Sequence, residues 1–465
     1  MRSASKRPPA PYRPAAPARG AASLIVVMVL FFVISLVAAY TSRNLIFEQR
    51  TSGNQYRSTL AFEAADAGIE WALARLNGAR MNDDCTPLTS AAAVSSPPQD
   101  SFRERYLAID AGTGIVTPRP DTSVSPSRPR LAGCVFDGSD WSCHCPASGD
   151  PDLSGVTLNG TGPHAAFWVR FTVPPMTPPR PGIVRVDVNA CTRAGPDCLK
   201  FDRQAQSGDG LAALSAVLAL RSGLGSPPNA PLLVRGTTSA APGATLSVTN
   251  DDPAAEGTTV LSGALFNPAL ATLQTLPGTP VARSVIDDDP TVKLPDLVPA
   301  LVPATPANHG ADRMFNSVFG MWPSTFMEQP AAAIVECAAG CNASDADGVA
   351  DMALLEPGHV IYVKGAGPLR IDTDLGTAAS PVLVVAEGSV EFGGAPQTVR
   401  GVVYSRAATW TTANAGTVQG AIVAEQDLRV VGTQTLIYDA AVMSRLRLAS
   451  GSFVKVPGGW RDFAP

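Results

Sequence analysis

The sequence has little charge, few histidines and none of the common catalytic motifs. Only 16% of its 465 residues are Asp, Glu, Lys or Arg, and it has four scattered histidines, His144, His164, His309 and His359. The patterns G-x-x-x-x-G-K-[ST], G-x-G-x-x-G, H-E-x-x-H and G-x-S-x-G, which mark phosphate, dinucleotide, zinc-protease and serine-hydrolase sites, do not occur. We therefore expect a protein that is not an enzyme and has no cofactor.

Glycine and proline, by contrast, are abundant. The 41 glycines and 42 prolines favour a β-rich, turn-rich structure over a helical bundle. The length suits two or three domains. The net charge is −5, and removal of the five cations within residues 1–20 makes it −10, so we expect no nucleic-acid partner.

The N-terminus combines a basic leader with a long uncharged run. Residues 1–20 contain five cations and no acid, and residues 21–40 contain no charged side chain. A helix of about 20 apolar residues spans a bilayer, and the flanking cations hold the N-terminal side in the cytoplasm. The remainder should then face outward.

Small residues precede the apolar run. A secretory signal has its cleavage site after the apolar segment, whereas here Gly20 and Ala21 lie before it. A cut at that point would remove the leader and leave the span on the mature protein. An uncleaved signal anchor is the alternative.

Helical periodicity continues beyond the span. Seven residues recur at spacings of three and four and predict one packed face: Ala61, Ala65, Gly68, Ile69, Ala72, Leu73 and Leu76. Asn77-Gly78 is a C-terminal stop signal, and we expect a kink or melted turn at Ser52-Gly53-Asn54. The apolar face must pack against a head domain.

Strand patterns follow a loop-rich stretch. Residues 165–173 and 182–193 alternate with period two, whereas residues 210–223 fit either a helix or a strand. The pattern predicts a small antiparallel sheet that packs on the end of the long helix.

The C-terminal part contains repeats of about twenty residues. "GVVYSRAATWTTANAGTVQG" (401–420) aligns with "GAIVAEQDLRVVGTQTLIYD" (420–439) at an offset of nineteen, with a preceding copy at 381–401 and an earlier coil at 358–372. Such repeats bury their faces only by stacking. A parallel β-solenoid or β-helix is predicted, with "DAAVMSRLRL" as a small helix or end cap, and a β-sandwich is the alternative.

The eight cysteines are predicted to lie outside the cytoplasm, where disulfides persist. Cys191 with Cys198 and Cys337 with Cys341 bracket short loops and are the expected pairs. The pairing of Cys85, Cys134, Cys143 and Cys145 stays open. Neither "CHC" (143–145) nor the acidic loop with Asp345, Asp347 and Asp351 has a full ligand set, so no metal is expected, although calcium at the acidic loop is left open.

Residues 19–76 resemble the type IV pilins, specifically the PilX-like minor pilins and the related large minor pseudopilins of type II secretion. The resemblance lies in "RGAASLIVVMVLFF" and the later "RNLIFEQRTSGNQYRSTLAFEAADAGIEWAL". It implies cleavage by a prepilin peptidase between Gly20 and Ala21, N-methylation of Ala21, residence in the inner membrane with a periplasmic body, and packing into a filament with other minor and major pilins.

One position departs from the family pattern. Most pilins have a glutamate as the fifth residue after the cut, where this chain has Ile25, and its first acid is Glu48. In the family that glutamate is thought to pair with the terminal amine of the subunit already in place. Ile25 is therefore a candidate determinant of filament position, which predicts a subunit that primes or caps a pilus on the cell surface.

These features predict four segments and an α+β, mainly β protein: a cleaved leader (1–20), a helix that is first transmembrane and then amphipathic (21–76), a pilin-like β head (77–225) and a β-repeat domain (226–465). Three other functions remain open: a subunit of a type II secretion pseudopilus, an adhesin or glycan-binding module displayed on a pilus, and an anchored polysaccharide-degrading enzyme.

Overall fold

The computed structural model describes residues 21–95, 99–160, 162–201, 209–294 and 312–462. The chain divides into two compact units between Thr59 and Leu60. The predicted leader, residues 1–20, lies outside the described residues.

A single helix, α1 (Ala21–Leu76), begins the described chain. It runs without interruption through Ser52-Gly53-Asn54, so the melted turn predicted there is absent. One glycine costs a helix about 1 kcal/mol relative to alanine but removes no backbone hydrogen bond, and here that cost does not break the helix. As predicted, α1 ends at Leu76, directly before Asn77-Gly78.

The head region after α1 is built of short strands followed by three long ones. Its helices are α2 (Phe102–Tyr106) and α3 (Pro196–Leu199). Its strands are β1 (Leu107–Ile109), β2 (Val116–Pro118), β3 (Pro120–Asp121), β4 (Arg128–Pro129), β5 (Leu131–Phe136), β6 (Trp141–His144), β7 (Ala166–Thr172), β8 (Ile183–Cys191) and β9 (Leu211–Ser222). The ambiguous stretch 210–223 is therefore a strand.

The repeat region contains short strands from residue 232 to residue 437. They are β10 (Leu232–Val234), β11 (Thr238–Ala240), β12 (Thr245–Thr249), β13 (Val260–Ser262), β14 (Thr272–Gln274), β15 (Val285–Ile286), β16 (Ala332–Glu336), β17 (Cys341–Asn342), β18 (Val360–Lys364), β19 (Leu369–Ile371), β20 (Val382–Ala386), β21 (Val390–Phe392), β22 (Gln397–Ser405), β23 (Thr409–Thr411), β24 (Ala415–Ala424), β25 (Asp427–Val430) and β26 (Thr433–Ile437).

Helices and one last strand complete the chain. The helices are α4 (Asp312–Phe319), α5 (Pro323–Met327), α6 (Val349–Leu355) and α7 (Ala440–Ala449), and the strand is β27 (Gly451–Arg461). Short 3-10 turns lie at Ala91–Ala93, Pro253–Ala255, Pro268–Leu270 and Val281–Arg283.

The repeat strands stack in parallel, one coil on the next. Gly401 pairs with Gly420 and Val402 with Ala421, which is the offset of nineteen read from the sequence. A Cβ at Gly401 would lie 1.9 Å from the oxygen of Val382, and one at Gly420 would lie 2.0 Å from the oxygen of Gly401. Both glycines have positive φ. Glycine therefore recurs where one coil's backbone closely approaches the next, and the pairing agrees with the predicted β-solenoid or β-helix-like domain.

The stacking order departs from the chain order. Strand β10 pairs in parallel with β24, and β12 pairs with β26, so the first coil of the repeat region stacks on the last one. Strands β13, β14 and β15 then extend the stack outward, whereas β16 lies at its other end. The alignment between repeats did not anticipate this arrangement, because β10 and β12 lack the repeat's glycine register.

The broad sheet of the solenoid is buried on both faces. Val384, Val403 and Ile422 point into the coil, and the alternate residues Val402 and Tyr404 pack under α4, α5 and α7. The predicted small helix at residues 439–448 is confirmed by α7, whereas the alternative of an end cap is wrong, since α7 packs on a side face, against β22 and β24. Near-continuous apolar runs such as "PVLVV" are typical of strands covered on both faces.

The last described strand lies in the head. Strand β27 pairs antiparallel with β9, which gives a six-stranded sheet in the order β27-β9-β8-β7-β5-β6. This sheet receives the amphipathic end of α1, as predicted. The predicted domain bounds did not anticipate that the last strand returns to the head.

Candidate assembly interface

The first part of α1 exposes a long apolar surface. Its large side chains from Leu24 to Val37 are all more than half exposed, and Ile25 is 62% exposed. By length and composition it is the one described helix that can cross a membrane. An exposed apolar surface of this size requires either lipid or other protein chains to cover it.

The predicted processing site lies at the edge of the described residues. Gly20 is outside them, and Ala21 is the first residue of α1. Ile25 lies in the uncharged run, and no Asp or Glu occurs in α1 before Glu48. The surface therefore has no carboxylate through which to pair with an amine.

Three hydroxyl side chains after the apolar run donate hydrogen bonds within the helix. The Thr41 and Ser42 hydroxyls donate to the Val37 oxygen (2.9 Å) and the Ala38 oxygen (2.6 Å), and that of Thr51 donates to the Phe47 oxygen (2.9 Å). Such bonds let hydroxyl side chains lie against lipid or protein without an unpaired donor. Leu45, Ile46 and Phe47 extend the exposed apolar surface.

The last part of α1, from Leu60, packs on the head sheet. Ala61, Ala65, Ile69, Ala72 and Leu76 are buried, as the periodicity predicted. At Gly68 the helix backbone lies close to the side chains of the sheet, because a Cβ there would lie 2.7 Å from Val188 Cγ1 and 3.0 Å from Phe167 Cδ2. Small residues along this face let the helix axis approach the strands of the sheet.

The end of α1 is bound to the last strand of the chain. Asn77 Nδ2 donates to the Phe453 oxygen (2.8 Å), and the Phe453 N–H donates to Asn77 Oδ1 (2.7 Å). The Asn77 amide thus acts as a strand partner at the free edge of β27. A pair between Lys455 and Glu70 joins the same two elements at the surface.

Arg103 connects three segments at this junction. Its guanidinium donates to the oxygens of Leu76 (3.2 Å), Ala449 (3.4 Å) and Gly451 (2.8 Å) and lies over the Phe453 ring. Leu76 and Ala449 are the last residues of α1 and α7, whose carbonyls carry partial negative charge. Burial lowers the pKa of Arg103 to about 10, and Glu104 partly opposes that shift.

A second buried charge cluster holds α4 on the solenoid. The Arg406 guanidinium contacts Glu425 (2.8 Å) and Asp312 (2.6 Å). Arg406 and Glu425 directly follow β22 and β24, and Asp312 is the first residue of α4. Burial raises the pKa of Glu425 to about 7, against the opposing effect of Arg406. The Tyr362 hydroxyl donates to Glu387 (2.9 Å) on the neighbouring coil.

Four disulfides join the eight cysteines. The two expected pairs, Cys191 with Cys198 and Cys337 with Cys341, lie together. The pairing that the sequence left open is Cys85 with Cys145 and Cys134 with Cys143. The latter joins paired strands β5 and β6, and the former links the segment after α1 to the strand region.

The possible metal sites are occupied by protein contacts. Among the described residues, the group of close potential ligands is Cys191, Cys198 and Asp209, and its two sulfurs are bonded to each other. In the acidic loop, Asp345 accepts hydrogen bonds from Asn342, and Asp351 accepts one from the Asp347 N–H. These contacts are those of a hydrogen-bonded turn.

Sequence reasoning missed Asn77, Arg103 and Arg406 as organising residues. The sequence indicates only a helix stop at Asn77, whose partner Phe453 is 376 positions away. Two of the three acceptors of Arg103 are more than 300 positions away, and Arg406 contacts a helix and the next coil. Arg406 directly follows the repeated apolar strand sequence. This position in the repeat could have indicated that its side chain contacts the next coil.

Residues 19–70 match the PilX N-terminal family, which confirms the resemblance predicted from the sequence for this segment. No curated protein sequence matches the chain. Among solved structures, the chain is similar to the competence-associated pilin ComZ from Thermus thermophilus, at 10% identity and with 87% of this chain and 97% of that chain covered. The TM-score of 0.19 does not establish a common fold.

Proposed function

We propose that this chain, with its PilX-type N-terminal segment, is a minor pilin that primes or caps the assembly of a type IV pilus within a tip complex. Other pilins would cover the exposed apolar surface of α1 after it leaves the inner membrane. The protein acts in this proposal as a structural subunit and not as an enzyme.

The observation that carries the proposal is Ile25 in an exposed, uncharged surface. A carboxylate in hydrocarbon costs about 2.5 to 3.5 kcal/mol on insertion scales and persists only where a partner compensates it. A subunit with Ile25 has no such carboxylate to bring to the terminal amine of a subunit already in place. Its own Ala21 amine still offers a partner to the next subunit's glutamate, which suits a subunit that enters first.

The size of the body after α1 also favours a position at the pilus tip. The chain has 389 residues after Leu76, and those that the structure describes form a head to which a stack of solenoid coils is added. Neighbouring copies of such a body would collide in a densely packed shaft, whereas the tip leaves room for it.

Processing is the first test of the proposal. Cleavage by a prepilin peptidase between Gly20 and Ala21, followed by methylation, gives a mature protein that begins with N-methyl-Ala21. N-terminal sequencing with mass spectrometry of the protein from membranes measures this directly. A mature protein that retains residues 1–20 would exclude the pilin assignment.

Location is the second test. Immunogold labelling with antibody against the head should mark pilus ends, and regular labelling along shafts would reject the tip assignment. Deletion separates the pilus from the related secretion pseudopilus: loss of surface pili and twitching supports the proposal, whereas loss of protein secretion with intact pili supports the pseudopilus.

A further inference from the structure

A cavity of about 270 Å³ lies in the second unit, between the head and the solenoid. Its wall is formed by α2 and β1, by the turn before β18, by the loop before β20 and by α7. The polar side chains around it are Arg103, Glu104, Arg119, Ser380, Arg445 and Ser450. Leu107, Ile109, Pro381 and Leu446 supply an apolar part of the wall.

The charge of this wall is positive. It has three arginines and one carboxylate, and Glu104 is itself paired with Arg80 at 3.1 Å. Within the described parts of the chain, no carboxylate oxygen lies within 4.0 Å of the nitrogens of Arg103, Arg119 or Arg445. A cavity lined by cations without acid partners attracts anions.

Arg103 adds a buried cation to this wall. It is only 6% exposed, and its three hydrogen bonds go to backbone oxygens, which carry partial but not full negative charge. Because burial removes water from the guanidinium, its pKa is lowered to about 10, so the side chain is still charged at neutral pH. An anion in the cavity would restore the compensation that a buried charge requires.

The other two arginines have nitrogens left for a ligand. Arg119 donates from Nε to the oxygens of Glu104 (2.6 Å) and Leu107 (3.1 Å), and Arg445 donates from Nη1 to the Ala379 oxygen (3.3 Å). In the described structure the Nη atoms of Arg119 and the Nη2 of Arg445 have no hydrogen-bond acceptor. Guanidinium groups held in this way match carboxylates in two-point geometry.

We propose that this cavity binds a small organic carboxylate, no larger than a single sugar ring. The volume lies just below the range of about 300 to 1,000 Å³ typical of ligand sites, which limits the size. The apolar part of the wall favours an organic acid over a bare inorganic anion. Two serine hydroxyls in the wall suit a ligand that also carries hydroxyl groups.

The test is calorimetric titration of the full chain in detergent micelles with glucuronate, and with glucose as the neutral isostere. We expect saturable binding of one glucuronate and at least tenfold weaker binding of glucose. Equal binding of the two, or no saturable binding of glucuronate, would overturn the proposal. Phosphate is the third probe, and phosphate binding as tight as that of glucuronate would overturn the choice of an organic carboxylate.

Variants locate the site. Arg445→Gln removes a cation whose side chain has one 3.3 Å bond to the protein, so the fold should persist. Because a hydrogen bond to a charged group contributes about 1.5 to 3 kcal/mol, this change should weaken glucuronate binding about 10- to 100-fold. Arg370→Gln, an exposed arginine on the solenoid outside the cavity, is the matched control. Equal affinities of the two variants would exclude this cavity.

Discussion

The side chain of Asn77 and the backbone of Phe453 exchange two hydrogen bonds across 376 positions of sequence. Asn77 directly follows the long helix, and Phe453 lies in β27, the last described strand. Without the Asn77 side chain, the backbone N–H and carbonyl oxygen of Phe453 would be buried at the edge of the sheet without hydrogen-bond partners. The amide therefore joins the helix that would enter a filament to the last element of the body.

Replacement of Asn77 should destabilise the whole body. Asn77→Ala leaves a buried N–H and a buried oxygen of Phe453 without partners, and we expect a loss of about 2 to 4 kcal/mol in the free energy of unfolding. Urea unfolding of the full chain in detergent measures it. Asn159→Ala, at an exposed position, is the control and should change little. Equal effects would mean that the pair is energetically unimportant.

Two glycines of α1 should respond differently to replacement by alanine. Gly53→Ala has open space for its Cβ and should gain up to about 1 kcal/mol from helix propensity. Gly68→Ala makes the same gain but forces its Cβ against Val188 and Phe167, at a cost of about 1 to 3 kcal/mol, and should be neutral to destabilising. Thermal unfolding compares them, and Val188→Ala should rescue Gly68→Ala. Stabilisation by Gly68→Ala alone would contradict the close packing.

Glu425 should make stability depend on pH. Its pKa is raised from 4.5 to about 7 in the folded protein, so the folded state holds the proton more tightly than the unfolded state. Its contribution to the free energy of unfolding is fully present below about pH 4.5 and is lost as the pH rises through about 7. The melting temperature of the wild type minus that of Glu425→Gln should fall between pH 5 and pH 8. A flat difference would show that Glu425 does not titrate there.

A carboxylate at position 25 should change where the subunit is found. If the proposed role of Ile25 holds, Ile25→Glu supplies the missing partner for a terminal amine, and immunogold label should spread from pilus ends into shafts. Val29→Glu places the same charge in the same exposed surface four residues on and should not spread the label. The same distribution for both variants would remove Ile25 from the argument.

The disulfides should contribute according to the loops they close. Cys85–Cys145 closes a separation of 60 residues and Cys337–Cys341 one of four. Loop-closure entropy predicts about 4 kcal/mol for the first and about 2 kcal/mol for the second. Paired Cys→Ser variants, followed by urea unfolding, compare them. A larger loss at Cys337–Cys341 would contradict this ranking.

Local regularity made much of the fold predictable. The face of α1 from Ala61 to Leu76, the two alternating strands and the Gly401–Gly420 register follow from spacing along the chain, because each packs with a fixed period. Asn77 and Arg103 were not predictable in their roles. Their partners are backbone oxygens at distant positions, and a backbone group leaves no residue type to read.

The candidate interface was predictable for a different reason. An uncharged run of twenty residues and the absence of an acid at Ile25 are visible without any tertiary contact. The cavity could not be predicted from the sequence, because Arg103, Arg119 and Arg445 lie in three separate parts of the chain and share no motif.

The order of the coils has a consequence for how the molecule is made. Strands β10 and β12 stack on β24 and β26, which follow them by almost two hundred residues. Strands β10 and β12 also pair with β13 and β14, which follow shortly after them, but their other edges have no partner until β24 and β26 have been synthesised. The junction between residues 232–286 and the rest of the stack therefore requires residues 415–437, which lie close in the sequence to the strand that joins the head, β27. A truncated chain would therefore leave apolar strand edges without partners, which makes completeness of the chain a condition for a stable body.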